Sequence, residues 1–401
     1  MSNRVRLAVV GGQRGAAFGK ALESLTDQVV LTAVCDLSSD VLKGWKEKYP
    51  EISTFTHYEQ LLESPHIDAV FLATPMLIHA SQAIQALNAG KHVLSEVIGT
   101  HTIEESWKLI EAVKASGLNY MMAENYCYTR SNMMVNHMAQ AGKFGEITYA
   151  ECGYIHDIRN LLHYGDGGLT WRGQYVRDYN GSTYPTHSLG PVAQWLGINK
   201  EGGDEFDELV TVNSKSRASS KYFLEHFGTE HTASQADFWN QGDSSTTLIR
   251  TKKGVLISLR VDIQSSRPHN MVHYGLQGTE GAYLAPRFDG EDPLVWLEKD
   301  YKGSHYGEDG QHPEWNSLWK YEDQWEHPLW QQWSETAMST GHGGGDFFVI
   351  QEFVSSILEK RKPAVDVYDA VTWSSVFPLS VQSVASGGAP VKFVDFLKGK
   401  S

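Results

Sequence analysis

The sequence predicts an α/β chain in two parts: an N-terminal doubly wound parallel sheet, and a C-terminal α/β domain with an open, mainly antiparallel sheet. Residues 1–125 alternate short apolar runs with stretches of helical spacing. After that point the pattern changes to strand runs joined by tight turns. The third sign is a glycine-bearing turn, Val10-Gly11-Gly12-Gln13-Arg14-Gly15, directly after the first apolar run.

Residues 5–10, apolar apart from Arg6, end in Gly11-Gly12, and a helical stretch follows to about Leu25. Residues 29–34 form a second buried-strand run that ends at Cys35-Asp36, and 38–48 read as a helix. Residues 69–73 are a third strand, stopped by Thr74-Pro75. Helical apolar spacing over 78–89 ends at Gly90, a residue suited to a helix stop. Residues 92–95 are a short strand. Thr102 and Glu105 stand at capping-box spacing and open a helix that runs to Gly117. Residues 119–123 complete the series. Strands separated by helices are joined by right-handed crossovers into a parallel sheet. Beyond Asn125, residues 147–154, 208–216, 246–250, 255–264 and 271–275 read as strands, with turn signals at Lys252-Lys253-Gly254 and 277–281. The expected division is 1–125, a Rossmann domain, and 126–401, a substrate-binding and oligomerisation domain.

Composition narrows the partners. Lys and Arg total 34 against 48 Asp and Glu in 401 residues, a net charge of −14. So acidic a surface does not favour a nucleic-acid backbone or an anionic membrane. No apolar run reaches the ~18 residues of a membrane span. The start, Met1-Ser2-Asn3-Arg4, leads straight into a strand-like run, so secretion is not expected. Cys35, Cys127 and Cys152 are too few and scattered for a disulfide framework or a thiolate metal site. The expectation is a cytoplasmic protein that acts on a small molecule and self-associates through its C-terminal sheet.

The first turn carries the clearest chemistry. A dinucleotide fingerprint needs glycine where the chain turns sharply and where backbone approaches a pyrophosphate at a helix start. Gly12 and Gly15 stand in one register of that fingerprint. Asp36 follows the second strand about twenty residues on, where a carboxylate accepts bonds from the adenosine ribose. Its charge favours NAD over the 2′-phosphorylated form. No metal is expected: His156, Asp157, His163, His187 and His342 contain no ligand pair at the helical spacing of zinc motifs.

Two further motifs are Thr74-Pro75 followed by His79, and Ala89-Gly90-Lys91-His92-Val93-Leu94-Ser95-Glu96. With them the sequence resembles the Gfo/Idh/MocA superfamily. That family carries a lysine against the nicotinamide; here the position is Val97, followed by Ile98 in place of proline. Tyr184-Pro185-Thr186-His187, Gly190-Pro191-Val192, Ser266-Arg267-Pro268 and Gly341-His342-Gly343-Gly344 resemble one branch in particular, the NAD-dependent α-N-acetylgalactosaminidases of glycoside hydrolase family 109. The resemblance spans nearly the whole chain. It implies NAD contacts at Arg14, Gly15, Asp36, His79, Glu96, Val97 and Asn125, with Thr74 in the turn that carries them. It implies sugar contacts at Tyr154, Arg172, Tyr184 and His187, joined by His156 and Glu96. His269 replaces the branch's usual tyrosine after the Arg-Pro pair and falls in the same pocket.

The implied chemistry is hydrolysis of a small glycoside through transient oxidation at C3, elimination across C1–C2, water addition and re-reduction. It needs no carboxylate pair across the glycosidic bond. His187 suits the acceptor of the C3 hydroxyl proton, because imidazole titrates near neutrality. Tyr154 suits the C2 base if Arg172 or His156 stabilises its phenolate. The rival readings are a net sugar dehydrogenase or reductase on the same fold, and a silent sensor of NAD and sugar.

Overall fold

The structure is a computed structural model and describes residues 4–268, 272–301 and 313–399. Among these, the chain forms two compact units. One comprises Met1–Arg130, Pro328–Ser375 and Val394–Ser401; the other comprises Ser131–His327 and Val376–Phe393. By packing, the stretch 126–401 is therefore divided, because residues 328–375 and the C-terminus return to the first unit. The apolar helix Gly345–Leu358, with Phe347, Phe348, Ile350 and Phe353 fully buried, accounts for that return.

The first unit holds a six-stranded parallel sheet of β1 (Val5–Val10), β2 (Val29–Cys35), β3 (Ser53–Phe55), β4 (Ala69–Leu72), β5 (His92–Ser95) and β6 (Tyr120–Met122). Their order is β3-β2-β1-β4-β5-β6. Leu7, Val9, Val34, Val70, Phe71 and Leu94 are fully buried, as expected when helices cover both faces of a sheet. The order reverses between β1 and β4, which opens the ligand crevice at the strands' carboxyl ends. Helix boundaries follow the capping chemistry. Ser38 Oγ accepts from Val41 N, Thr102 Oγ1 accepts from Glu105 N at 3.1 Å, and Gly117 ends its helix at φ 66°. β3 has no counterpart in the sequence reading. It is three residues long, at the sheet edge and partly exposed, so it carries no apolar period.

The second unit holds nine strands: β7 (Ile147–Ile155), β8 (Phe206–Asn213), β9 (Ser245–Thr251), β10 (Leu256–Asp262), β11 (Val272–Gly278), β12 (Gly281–Leu284), β13 (Leu294–Leu297), β14 (Asn316–Ser317) and β15 (Val391–Lys392). They run in the order β14-β13-β12-β11-β7-β10-β9-β8-β15. Only the β7–β10 pair among them is parallel. Both expected turns are present, joining β9 to β10 and β11 to β12. β9 alternates buried and exposed residues along its length, the period of a sheet with one covered face. The four short strands β12 to β15 have no counterpart in the sequence reading, being two to four residues each.

Candidate active site

In the first unit, the chain leaves β1 through Gly11, whose φ is 89°. A Cβ there would sit 2.5 Å from the Ala73 carbonyl oxygen, so only glycine lets the turn lie against the end of β4. The Gly12 carbonyl accepts from the buried indole Nε1 of Trp45 at 2.9 Å. The Asp36 carboxylate stands beside this turn. Oδ2 accepts from Gln13 N at 3.3 Å and Oδ1 from Ser38 N at 2.8 Å. These two contacts aim one carboxylate at the crevice mouth, where the fingerprint requires it.

Next to the turn, Arg14 Nε donates to Glu96 Oε1 at 2.7 Å, and Glu96 Oε2 accepts from Val97 N. Glu96 is 6% exposed, so the charge-assisted bond fixes its direction. His79 is a clamp. Nε2 lies 2.8 Å from the Thr74 carbonyl oxygen and Nδ1 lies 3.0 Å from that of Ile98, which ties the loops after β4 and β5 together. Burial pushes the imidazole below its ordinary range, against the pull of those carbonyls. A neutral ring satisfies only one of them as a donor. Its role toward the crevice is therefore to hold the Thr74 and Ile98 backbones in place. Asn125, fully buried after β6, donates from Nδ2 to Asp346 Oδ1 at 2.8 Å, while its Oδ1 has no hydrogen-bond partner among the described residues. A glycine turn, a carboxylate at the end of β2 and an orphaned buried carbonyl near the ends of β5 and β6 fit a dinucleotide laid across the crevice.

The second unit brings four of the expected residues together. The Tyr154 ring centroid lies 5.0 Å from that of Tyr184, 5.4 Å from His187 and 5.7 Å from His156. Tyr184 and His187 are 5.3 Å apart. Tyr154 comes from the end of β7, and its side chain is 7% exposed. His187 lies in the first turn of the helix Thr186–Trp195 and is 4% exposed. Its backbone carbonyl accepts from the Tyr274 hydroxyl at 2.6 Å, which pins the helix start to β11. Arg172 is half-buried, with its guanidinium 4.3 Å from the ring centroid of its neighbour Trp171. His269 lies outside the described residues.

The other histidines raised by the sequence are dispersed. Asp157 holds Arg159 through two bonds from its guanidinium and one from its backbone N–H, and the cation beside it keeps the carboxyl below its usual range against the opposing effect of burial. His163 packs against Tyr222 and Phe227. Among the described residues, no group of three His, Cys, Asp or Glu side chains is arranged to hold a metal ion. The three cysteines are buried free thiols, and burial pushes that of Cys35 up to about 11. Of the tryptophan-rich stretch, Trp330 is a core residue that donates to the Tyr128 carbonyl at 3.0 Å. Sequence reasoning missed Asp346, which is buried and bonded to both Asn125 and His342. Its signal was the aspartate that directly follows the glycine run.

Comparison with known proteins identifies the family. Residues 128–401 match the family model "Glycosyl hydrolase 109, C-terminal domain", and residues 5–124 match "Oxidoreductase family, NAD-binding Rossmann fold". The chain is 35% identical to a glycosyl hydrolase family 109 protein of Solibacter usitatus, over 99% of this chain and 89% of that one. It is 34% identical to an alpha-N-acetylgalactosaminidase of Shewanella oneidensis, over 98% of this chain and 85% of that one. Among solved structures, levoglucosan dehydrogenase in complex with NADH and L-sorbose shares the fold at a TM-score of 0.79 and 19% identity, covering 98% of this chain and all of that one (100%). An oxidoreductase domain protein from Kribbella flavida does so at 0.78 and 18%, with the same coverage of 98% and 100%. No helix among the described residues is long and apolar enough to cross a membrane. NAD is the cofactor, the activity is that of an NAD-dependent glycosidase or sugar oxidoreductase, and the chain belongs to the glycosyl hydrolase 109 family.

Proposed function

We propose that this protein hydrolyses a small glycoside, an N-acetylgalactosaminide being the first candidate, through transient oxidation of the sugar ring. The observation that carries the reading is the convergence of Tyr154, Tyr184 and His187 in a chain whose other unit is an NAD-binding fold. When bound, NAD supplies a reversible hydride acceptor. Asp36, Arg14, Glu96 and Asn125 hold the dinucleotide, with Gly12, Gly15, Thr74, His79 and Val97 shaping the backbone around it.

His187 takes the proton of the C3 hydroxyl while that carbon is oxidised. The ketone then acidifies the C2 proton, which Tyr154 removes. The C1–O bond breaks, water adds at C1, and C2 is reprotonated before C3 is reduced again. The sugar sits against the faces of Tyr154 and Tyr184, and Arg172 and His156 orient its hydroxyls. The near-complete burial of His187 and Tyr154 supports these roles, because proton transfer gains strength where water is excluded.

The test is a panel of aryl glycosides incubated with the purified protein in deuterated water. Deuterium at C2 of the released sugar is the expected result, with no net change at the nicotinamide absorbance. His187→Ala should lower kcat by about 10²–10⁴-fold. Released sugar with C2 fully protonated means direct displacement and removes the reading. NADH that accumulates one for one with product means a sugar dehydrogenase instead.

A further inference from the structure

In the second sheet, two strands beside the ring group reverse the usual pattern of apolar residues inside and polar residues outside. On β9, Ser245 and Thr247 are fully buried while Leu248 between them and Ile249 is 45% exposed. On β8, Thr211 is fully buried while Val212 is 64% exposed. A slip of one residue in either strand would bury the apolar side chain instead. Hydroxyls kept inside need partners of their own. Here they have one another. Thr211 and Thr247 pair across the two strands, with their Oγ1 atoms 2.8 Å apart. Thr247 Oγ1 lies 2.7 Å from Ser182 Oγ, which lies 2.8 Å from Ser245 Oγ. Ser182 is fully buried as well.

Ser182 does not belong to the sheet. It lies in the segment 179–185 between the helices Trp171–Asp178 and Thr186–Trp195, two residues before Tyr184. The neighbouring positions of that segment are tied down too. Ser182 N donates to Ser380 Oγ at 2.9 Å, in the helix Val376–Ala385. A Cβ on Gly181 would sit 2.6 Å from that oxygen and 2.9 Å from Val381 N, so the chain lies directly against this helix. Thr183, also fully buried, donates from Oγ1 to Gln241 Oε1 at 3.1 Å. The Gln241 carbonyl accepts in turn from Gln264 Nε2 at 3.1 Å. The sheet register shows where this leads. Ser245, Val261 and Tyr154 stand in line across β9, β10 and β7. Ser182 is bonded at the first of these strands, and the Tyr184 ring meets Tyr154 on the third, about 10 Å away at the usual strand spacing.

Apolar contact alone would hold this segment down but let it slide, because it has no direction. A buried hydroxyl fixes distance and angle, since breaking its bond leaves it to bear the full desolvation penalty. Linked hydroxyls also polarise one another, which stiffens the set. We infer that Ser182 and Thr247 are positioning residues for Tyr184. Their shared hydrogen bond sets where the Tyr184 ring stands against the sugar, and so where the sugar stands against His187 and Tyr154. Thr183 and Gln241 form a second tether. The assignment rests on the sugar-binding role proposed for Tyr184. The hydroxyls take no proton in the reaction. They hold the distance over which His187 and Tyr154 exchange theirs, and an error of about 1 Å there costs on the order of 10²-fold in rate.

The experiment uses the whole protein with NAD bound and compares Thr247→Val, Thr247→Ser and Ser182→Ala with wild type on an aryl glycoside in deuterated water. Thr247→Val keeps the shape and removes the hydroxyl. Thr247→Ser keeps the hydroxyl and removes the methyl group. Thr247→Val should lose about 10-fold to 10²-fold in kcat/KM at unchanged NAD affinity. Thr247→Ser should recover most of that loss even though its own melting temperature falls. The double variant Ser182→Ala/Thr247→Val should lose little more than the worse single variant, because both changes remove one shared bond. With fluorotyrosine in place of tyrosine, the 19F signal missing from Tyr184→Phe should shift or broaden in Thr247→Val and return in Thr247→Ser. Should Thr247→Val yield no folded protein, Ser182→Ala read by the same signal decides. Activity that merely follows melting temperature across the variants, a full rate in Thr247→Val, additive losses in the double variant, or an unmoved Tyr184 signal overturns the assignment. If wild-type protein puts no deuterium at C2 of its product, the oxidation–elimination reading fails on its own, and the Tyr184 signal still decides the positioning.

Discussion

The first unit contains two glycine turns that look alike in sequence and differ in what they hold. Gly11–Gly15 joins β1 to its helix. Gly341–Gly345 leads into the helix Gly345–Leu358. Each is held by a buried indole, Trp45 donating to the Gly12 carbonyl and Trp330 to the Tyr128 carbonyl beside the second turn. The first turn presents backbone and one carboxylate, Asp36, as a cofactor cradle requires. The second presents a side chain, His342, backed by a buried acid. Glycine in the first case lets a ligand and a strand end come close; in the second it lets a histidine be locked onto its partner. A glycine run is therefore no signature of phosphate binding until the groups it brings into place are known.

The largest effects should separate the two turns. Gly11→Ala places a Cβ against backbone at 2.5 Å in a left-handed conformation, and Gly345→Ala places one at 2.3 Å from backbone. Each should cost about 3 kcal/mol or more, read as a lowered denaturation midpoint. The comparison is sharpened if Gly11→Ala purifies without NAD while the folded fraction of Gly345→Ala retains it, and broken if both lose it equally. A smaller effect is expected for Asp36→Ala, which removes the ribose acceptor. NAD affinity should fall by about tenfold, close to 1.4 kcal/mol, with a small drop in the melting temperature of the NAD-free protein from the lost bonds to Gln13 N and Ser38 N. Titration with NAD and its 2′-phosphorylated form measures this. Undiminished preference for NAD in the variant would show that Asp36 does not read the ribose.

Local geometry explains what the sequence made legible. β1, β2, β4 and β5 were readable as short, mainly apolar runs and their helices by apolar spacing, each with its stop residue a few positions away. Gly11, Gly12 and Asp36 were readable because one strand, one turn and the next strand place them together. The ring group of Tyr154, Tyr184 and His187 was reached through a resemblance, since nothing in the spacing of residues 154 and 187 brings them within 5.4 Å. The Asn125–Asp346 bond joins positions 221 residues apart, and no period or turn signal reports a contact of that range. For the same reason Gly341–Gly345 read as low complexity: the Asn125 backbone and the Trp330 ring that demand its glycines are distant in sequence. The short strands β12 to β15 were lost to their length, because two to four residues cannot show a period.

The smallest effect provides the baseline against which both turns are judged. Arg6 in β1 lies toward the opposite end of the strand from Gly11, and it grips Asp68 through Nη2 at 2.6 Å and Nε at 2.9 Å. Both side chains are more than a third exposed, so solvent screens the pair, and Asp68→Asn should cost only about 0.5 kcal/mol. The Arg6 guanidinium holds the Asp68 carboxyl below its ordinary range, with burial opposing. A carboxyl lowered on folding contributes its full stability above the unfolded value of about 3.9 and loses it as pH falls through the lower folded value. The gap in melting temperature between wild type and Asp68→Asn should therefore be constant from pH 7 to about pH 5 and close below about pH 4. NAD affinity should not change, because this pair touches neither turn. A variant that weakens NAD binding would mean that strain anywhere along β1 reaches the crevice, and the losses in Gly11→Ala could then no longer be assigned to the turn itself.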